Sequence, residues 1–175
     1  GQKAAVLVNA ATDIALEGDN QLRGGGSASG TEPAIKIASG SVRLSDPSTD
    51  SKGRLYAYGG SYGNLSSPAI LSEGSGNLTI AGGTLVARSG DGTASGALKG
   101  TVRIQAGSVD ALCETRPTNT IGGKSTPVYR VDVTTGLNPD QPYQCLYAGC
   151  DPSPFIALPD NAGKVYCWLP EQKLS

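Results

Sequence analysis

The chain has 175 residues, with 14 basic and 15 acidic side chains, no histidine, and 25 glycines, about twice ordinary usage. Its length suits one domain, or one domain with a small appendage, and a net charge of −1 argues against a nucleic acid partner. The lack of histidine removes His-based triads and most transition-metal sites, and no apolar run approaches the length that crosses a bilayer, so no membrane insertion is expected.

A modest aliphatic content borders on that of disordered chains, but the balanced charge supplies no repulsion to hold the chain open. A glycine-punctuated, ordered all-β protein is the reading. Of the 25 glycines, 20 precede Pro117, whereas 8 of the 11 prolines lie at or after it. The chain therefore divides into β repeats over residues 1–116, a linker over 117–126 and a small Pro- and Cys-containing β module over 127–175.

In chain order, the first repeat reads Ala5-Val6-Leu7-Val8, Asp13-Ile14-Ala15-Leu16 and Leu22-Arg23-Gly24. The second reads Ala34-Ile35-Lys36-Ile37, Ser41-Val42-Arg43-Leu44 and Leu55-Tyr56-Ala57. The third reads Ala69-Ile70-Leu71, Asn77-Leu78-Thr79-Ile80 and Leu85-Val86-Ala87, and the fourth Ala97-Leu98-Lys99, Thr101-Val102-Arg103-Ile104 and Val109-Asp110-Ala111. Three kinds of segment recurring in one order, with variable turns between them, are the pattern of a solenoid whose coils cannot bury their apolar faces alone. The expected fold is a right-handed, single-stranded parallel β-helix of about four coils with three strands each, followed by a small antiparallel β unit; the hand follows the general crossover preference.

Alternation along a strand sends Ile14 and Leu16, Val42 and Leu44, Leu78 and Ile80, and Val102 and Ile104 to one interior ladder. In the third column Leu55 with Ala57, Leu85 with Ala87, and Val109 with Ala111 point inward. Gly59, Gly60, Gly82, Gly83, Gly90 and Gly92 are expected to supply positive φ at the corners. Because the chain opens directly into strand material, the first coil is expected to lack an upstream cap or partner coil.

The stretch Gly76-Asn77-Leu78-Thr79-Ile80-Ala81-Gly82-Gly83-Thr84-Leu85-Val86-Ala87 resembles the repeat of bacterial cell-surface proteins of the right-handed β-helix, carbohydrate-binding-domain type. The closing stretch Asn161-Ala162-Gly163-Lys164-Val165-Tyr166-Cys167-Trp168-Leu169-Pro170 is similar to the small module that often follows such repeats. The resemblance implies secretion and display at a bacterial cell surface, and it carries over no catalytic residue. β-helices serve as lyases, adhesins and inert stalks alike, so the likeness speaks to fold more than to activity.

A lyase would need clustered carboxylates to hold calcium on one outer face. Outward positions beside the second-strand ladder read Ala15, Arg43, Thr79 and Arg103, then Glu17, Ser45, Ala81 and Gln105, so acidic residues do not stack; Asp46, Asp50 and Asp91 lie in turns. No catalytic residue, cofactor or metal is expected. The outer side of the third column is richer: with Leu55 and Ala57 inward, Tyr56 and Tyr58 face solvent about 6.8 Å apart. The same alternation sends Arg23, Arg88 and Asp110 outward, and Tyr62 lies in the adjoining loop. Exposed aromatic rings flanked by charged groups suit a flat saccharide-binding face. Tyrosine and arginine in such positions equally stabilise a sheet through cross-strand and cation–π contacts.

Cys113, Cys145, Cys150 and Cys167 fit no zinc spacing. At least one disulfide is expected in the C-terminal unit, joining Cys145 to Cys150 or to Cys167, with Cys113 a free, buried thiol. Asn64-Leu65-Ser66 and Asn77-Leu78-Thr79 match the glycosylation sequon and are read as coincidence. The leading function is a non-catalytic extracellular segment of a larger surface protein, serving adhesion, display or as a stalk, with a glycan or host-surface ligand as its partner. The alternatives are a polysaccharide-binding module centred on Tyr56 and Tyr58, and a polysaccharide lyase-like enzyme.

Overall fold

Short alternating segments between glycine-rich turns favour strands, and among the described residues the chain is all-β, with no helix. The structure is a computed structural model and describes residues 3–48, 52–145, 153–156, 159 and 163–170. No helix among these residues is long and apolar enough to cross a membrane.

The first circuit consists of β1 (Val6–Val8), β2 (Thr12–Ala15) and β3 (Asp19–Arg23), followed by a hairpin of β4 (Gly26–Ser27) and β5 (Gly30–Thr31). The second repeats it with β6 (Ile35–Ile37), β7 (Ser41–Ser45) and β8 (Arg54–Tyr58), and a hairpin of β9 (Ser61–Tyr62) and β10 (Leu65–Ser66). In the third, β11 (Ile70–Ser72) precedes the long β12 (Asn77–Arg88), and in the fourth β13 (Leu98–Lys99) precedes β14 (Thr101–Asp110). The remaining strands are β15 (Thr118–Ile121), β16 (Lys124–Asp132), β17 (Pro142–Cys145), β18 (Ser153–Ile156) and β19 (Tyr166–Pro170).

All pairing between circuits is parallel and falls into three columns. The first column is β1-β6-β11-β13; the second is β2, β7 and the leading halves of β12 and β14; the third is β3, β8 and their trailing halves. Inward side chains stack from strand to strand. Val42, Leu78 and Val102 form one row and Leu44, Ile80 and Ile104 the next, each residue at most 4% exposed. In the third column Leu55, Leu85 and Val109 form a fully buried row. One core cluster runs through all four circuits.

The first circuit enters this ladder two residues away from the sequence expectation. Ile14 lies level with Leu44, not Val42, and Leu22 level with Ala57, not Leu55. A two-residue slip preserves which side chains point inward, so alternation alone does not choose between the registers. Thr12 and Asn20 thereby take interior positions, and the Asn20 amide donates to the carbonyls of Glu17 (3.1 Å), Gly18 (3.2 Å) and Arg54 (3.2 Å).

Glycine serves the corners in two ways. Gly83 and Gly92 have positive φ (76° and 84°), as expected, but Gly59, Gly60, Gly82 and Gly90 do not. At the corner after the third column the reason is contact: a Cβ on Gly90 would sit on the carbonyl oxygen of Gly60, and one on Gly60 on that of Gly25. Backbones approach too closely there for any side chain.

Among the described residues, one interior strand position is polar without compensation. Ser72 lies level with Ile37, is 8% exposed, and its hydroxyl has no hydrogen-bond partner. Ser72→Ala should therefore stabilise the protein by about 1 kcal/mol, read as a higher denaturant midpoint at unchanged m-value. An unchanged or lower midpoint would show that the hydroxyl is satisfied in solution.

The C-terminal segments close the last circuit. Leu98 bridges in parallel to Cys113, β14 pairs in parallel with β15 at Arg103 and Thr118, and β16 then runs antiparallel to both β15 and β19. Residues 117–126, expected to be a linker, thus contain β15 and the start of β16. Val128 and Trp168 join the main core, while Val165 and Cys167 form a small second cluster with Val133, Leu137, Tyr143 and Leu169. β17 and β18 pair antiparallel as a two-stranded sheet, and β18 packs against β14.

At the end of β16, hydrogen bonds from Thr134 and then the Lys164 ammonium hold the Asp132 carboxyl down at about 2. A depressed folded-state pKa stabilises above the ordinary carboxylate range, and that contribution is lost as pH falls through about 2. Asp132→Asn should accordingly destabilise at neutral pH, with only a small remainder of the effect left near pH 2, measured by urea titration at the two pH values. An equal effect at both would exclude the charge as its source.

Candidate functional site

The outer face of the third column carries three rows. Asp19, Arg54, Thr84 and Ser108 are level, as are Gln21, Tyr56, Val86 and Asp110, and as are Arg23, Tyr58 and Arg88. Leu55 and Ala57 are buried, so Tyr56 and Tyr58 share the outward side and are half-buried by their neighbours.

The upper half of this face is covered. β19 lies along it: the Ser108 hydroxyl donates to the Tyr166 carbonyl (3.0 Å) and the Trp168 indole N–H to the Val109 carbonyl (3.3 Å). Asp110, expected to face solvent and meet a ligand, is 4% exposed and ion-paired to both Arg88 and Arg130. Asp110 lies level with Val86 in the outer row, and the C-terminal strands bury what would otherwise be surface. Arg88 turns with it, its Nη1 donating to the carbonyls of Ala87 (2.8 Å) and Asp110 (2.9 Å). The Arg130 guanidinium lies 3.6 Å from the Tyr166 ring centroid, tying the cap to the same cluster.

The lower half is open. Asp19, Asn20, Gln21, Tyr56 and Tyr58 line a shallow depression of about 460 Å³. The slipped register of β3 brings Arg23 level with Tyr58, and its guanidinium stacks 4.5 Å from the ring centroid. Arg54 lies 5.8 Å from the Tyr56 centroid and donates from Nη1 to the Tyr56 hydroxyl (2.7 Å), with its Nε 3.6 Å from the Asp19 carboxylate. Two ring faces are thus partly occupied by the protein's own cations. Each such exposed contact is worth about 0.5–1 kcal/mol, so a ligand ring would have to displace one of comparable strength. Tyr62 lies outside the depression, opposite Leu65 in the β9–β10 hairpin, and is 51% exposed.

Among the described residues the cysteines form no such site. Cys113 is a free, half-buried thiol packed against the core, and burial pushes its pKa up to about 12, which leaves little thiolate at neutral pH. Cys167 is buried in the small C-terminal cluster. Cys150 and the side chain of Cys145 lie outside the described residues, and among those described there is no disulfide.

Sequence reasoning missed Arg130 and Tyr166 as partners of Asp110; the only signal was an Arg and a Tyr of outward type in a segment with no repeat. It also missed Asp19 and Gln21, which a two-residue slip moves beside the tyrosines. No protein-family description, curated protein or solved structure matches this chain.

Proposed function

We propose that the three columns form a right-handed parallel β-helix, and that the chain serves as a non-catalytic extracellular segment of a bacterial surface protein, for adhesion or display. The observation that supports this reading is the stacking of four circuits around one continuous core, closed by an antiparallel cap. Such a stack is stiff along its axis, and its outer surfaces are flat sheet faces suited to contact along their length. Antibody to the chain is expected to label intact cells of the source bacterium. Labelling only after lysis would overturn the assignment to the surface, and release of new reducing or unsaturated sugar ends from a polysaccharide panel would overturn its non-catalytic character.

A second reading, glycan binding at the open half of the third column, is favoured by the depression beside Tyr56 and Tyr58. With the rings partly covered by Arg23 and Arg54, binding should be weak, with dissociation constants of about 0.1–1 mM. Tyr56→Ala combined with Tyr58→Ala should abolish retention on a polysaccharide affinity gel while shifting the melting temperature little. Early unfolding of the double variant would instead make the tyrosines structural partners of the arginines.

A further inference from the structure

The outer face of the second column carries a row that neither reading uses. Asp13, Arg43, Thr79, Arg103 and Thr118 lie level on five successive parallel strands, β2, β7, β12, β14 and β15. Arg43 and Arg103 are exposed, and neither has an ion-pair or hydrogen-bond partner among the described residues. This sets them apart from Lys36, Arg54, Arg88, Lys99 and Arg130, each of which holds a carboxylate. A groove of about 370 Å³ runs beside the row, lined with hydrogen-bonding groups from Ser41, Asn77, Thr79 and Gln105 as well as Asp13 and Arg43.

From Arg43 onward, cationic and neutral positions alternate along this row. Adjacent parallel strands are about 4.8 Å apart, so Arg43 and Arg103 stand about 9.6 Å from each other with the neutral Thr79 between them. A pyranose unit in an extended polysaccharide advances by close to one strand spacing, and a disaccharide by close to two. A carboxylate on every second sugar would therefore meet a guanidinium at both positions, where the planar fork can take it in bidentate fashion. The intervening neutral sugars would fall at Thr79 and Thr118, whose hydroxyls suit sugar hydroxyls. Asp13 extends the same register: it accepts hydrogen bonds from a neutral sugar but repels a carboxylate placed one strand spacing from Arg43.

We propose that this row binds a linear polysaccharide bearing one carboxylate per disaccharide, lying across the strands of the second column. The site lies on a different column from the tyrosine depression and does not depend on where the chain is displayed. Since the two cations stand within the Debye length of about 10 Å at about 0.1 M ionic strength, they act together on the polymer there, and binding weakens as salt rises.

Affinity electrophoresis of the full chain through gels containing hyaluronan, polygalacturonate or dextran tests the proposal. Hyaluronan, charged on alternate sugars, should retard the protein; polygalacturonate, charged on every sugar, should retard it less, and dextran not at all. Arg43→Gln with Arg103→Gln should lower apparent affinity for hyaluronan at least about tenfold at an unchanged melting temperature. Asp13→Asn should raise retardation by polygalacturonate selectively, which keeps the register testable even if the double variant folds poorly. No retardation by hyaluronan, equal or stronger retardation by polygalacturonate, or full retention by a folded double variant would each overturn it.

Discussion

Leu78→Asp is expected to cost at least about 4 kcal/mol, a large fraction of the roughly 5–15 kcal/mol by which a domain is ordinarily stable. Leu78 is 1% exposed and stands between Val42 and Val102 in the second-column row, so the carboxylate would enter a packed apolar ladder with no cation or donor to receive it. The repeat amplifies the effect, because each circuit buries its apolar side chains only against its neighbours, and a break in the third exposes the second and fourth as well. Thr101→Asp, an exposed position on the adjacent strand, serves as the control and should stay within about 0.5 kcal/mol of wild type. Guanidinium denaturation compares the two. Similar midpoints for both variants would mean that the interior ladder is not where the structure places it.

Asp110→Asn should cost about 3 kcal/mol and release the C-terminal cap before the repeats unfold. Asp110 is buried between Arg88 of the third circuit and Arg130 of the cap, and the latter also stacks on Tyr166. An asparagine retains shape and one acceptor but no charge, leaving two guanidiniums close together without their shared counter-charge. The loss should be local first. Hydrogen exchange should speed up at residues 166–169 more than at residues 78–80, and limited proteolysis should cut the cap while the repeats stay intact. Unchanged protection at residues 166–169 would show that the Ser108 and Trp168 hydrogen bonds and the apolar packing of Val128 and Trp168 hold the cap without the ion pairs.

The two variants probe different kinds of information. That Leu78 belongs inside follows from strand alternation, which is a local property with period two. Alternation settles the face of almost every repeat residue: Val42, Leu44, Leu55, Ile80, Leu85 and Val109 are buried, and Tyr56, Arg43 and Arg103 point outward. The all-β class and the threefold order of segments rest on the same periodicity. What a period of two leaves open is any register that differs by an even number, and the first circuit slips by two against the reading from the sequence. Turn length and the packing of Leu16 and Leu22 against the second circuit decide it, and only then does Arg23 arrive over Tyr58. Alternation is equally silent about what covers an outward residue. Asp110 and Arg43 look alike by parity, yet one lies under β19 and β16 and the other in open solvent. The difference comes from a C-terminal segment outside the repeat that folds back onto the third column and leaves the second column's outer row bare.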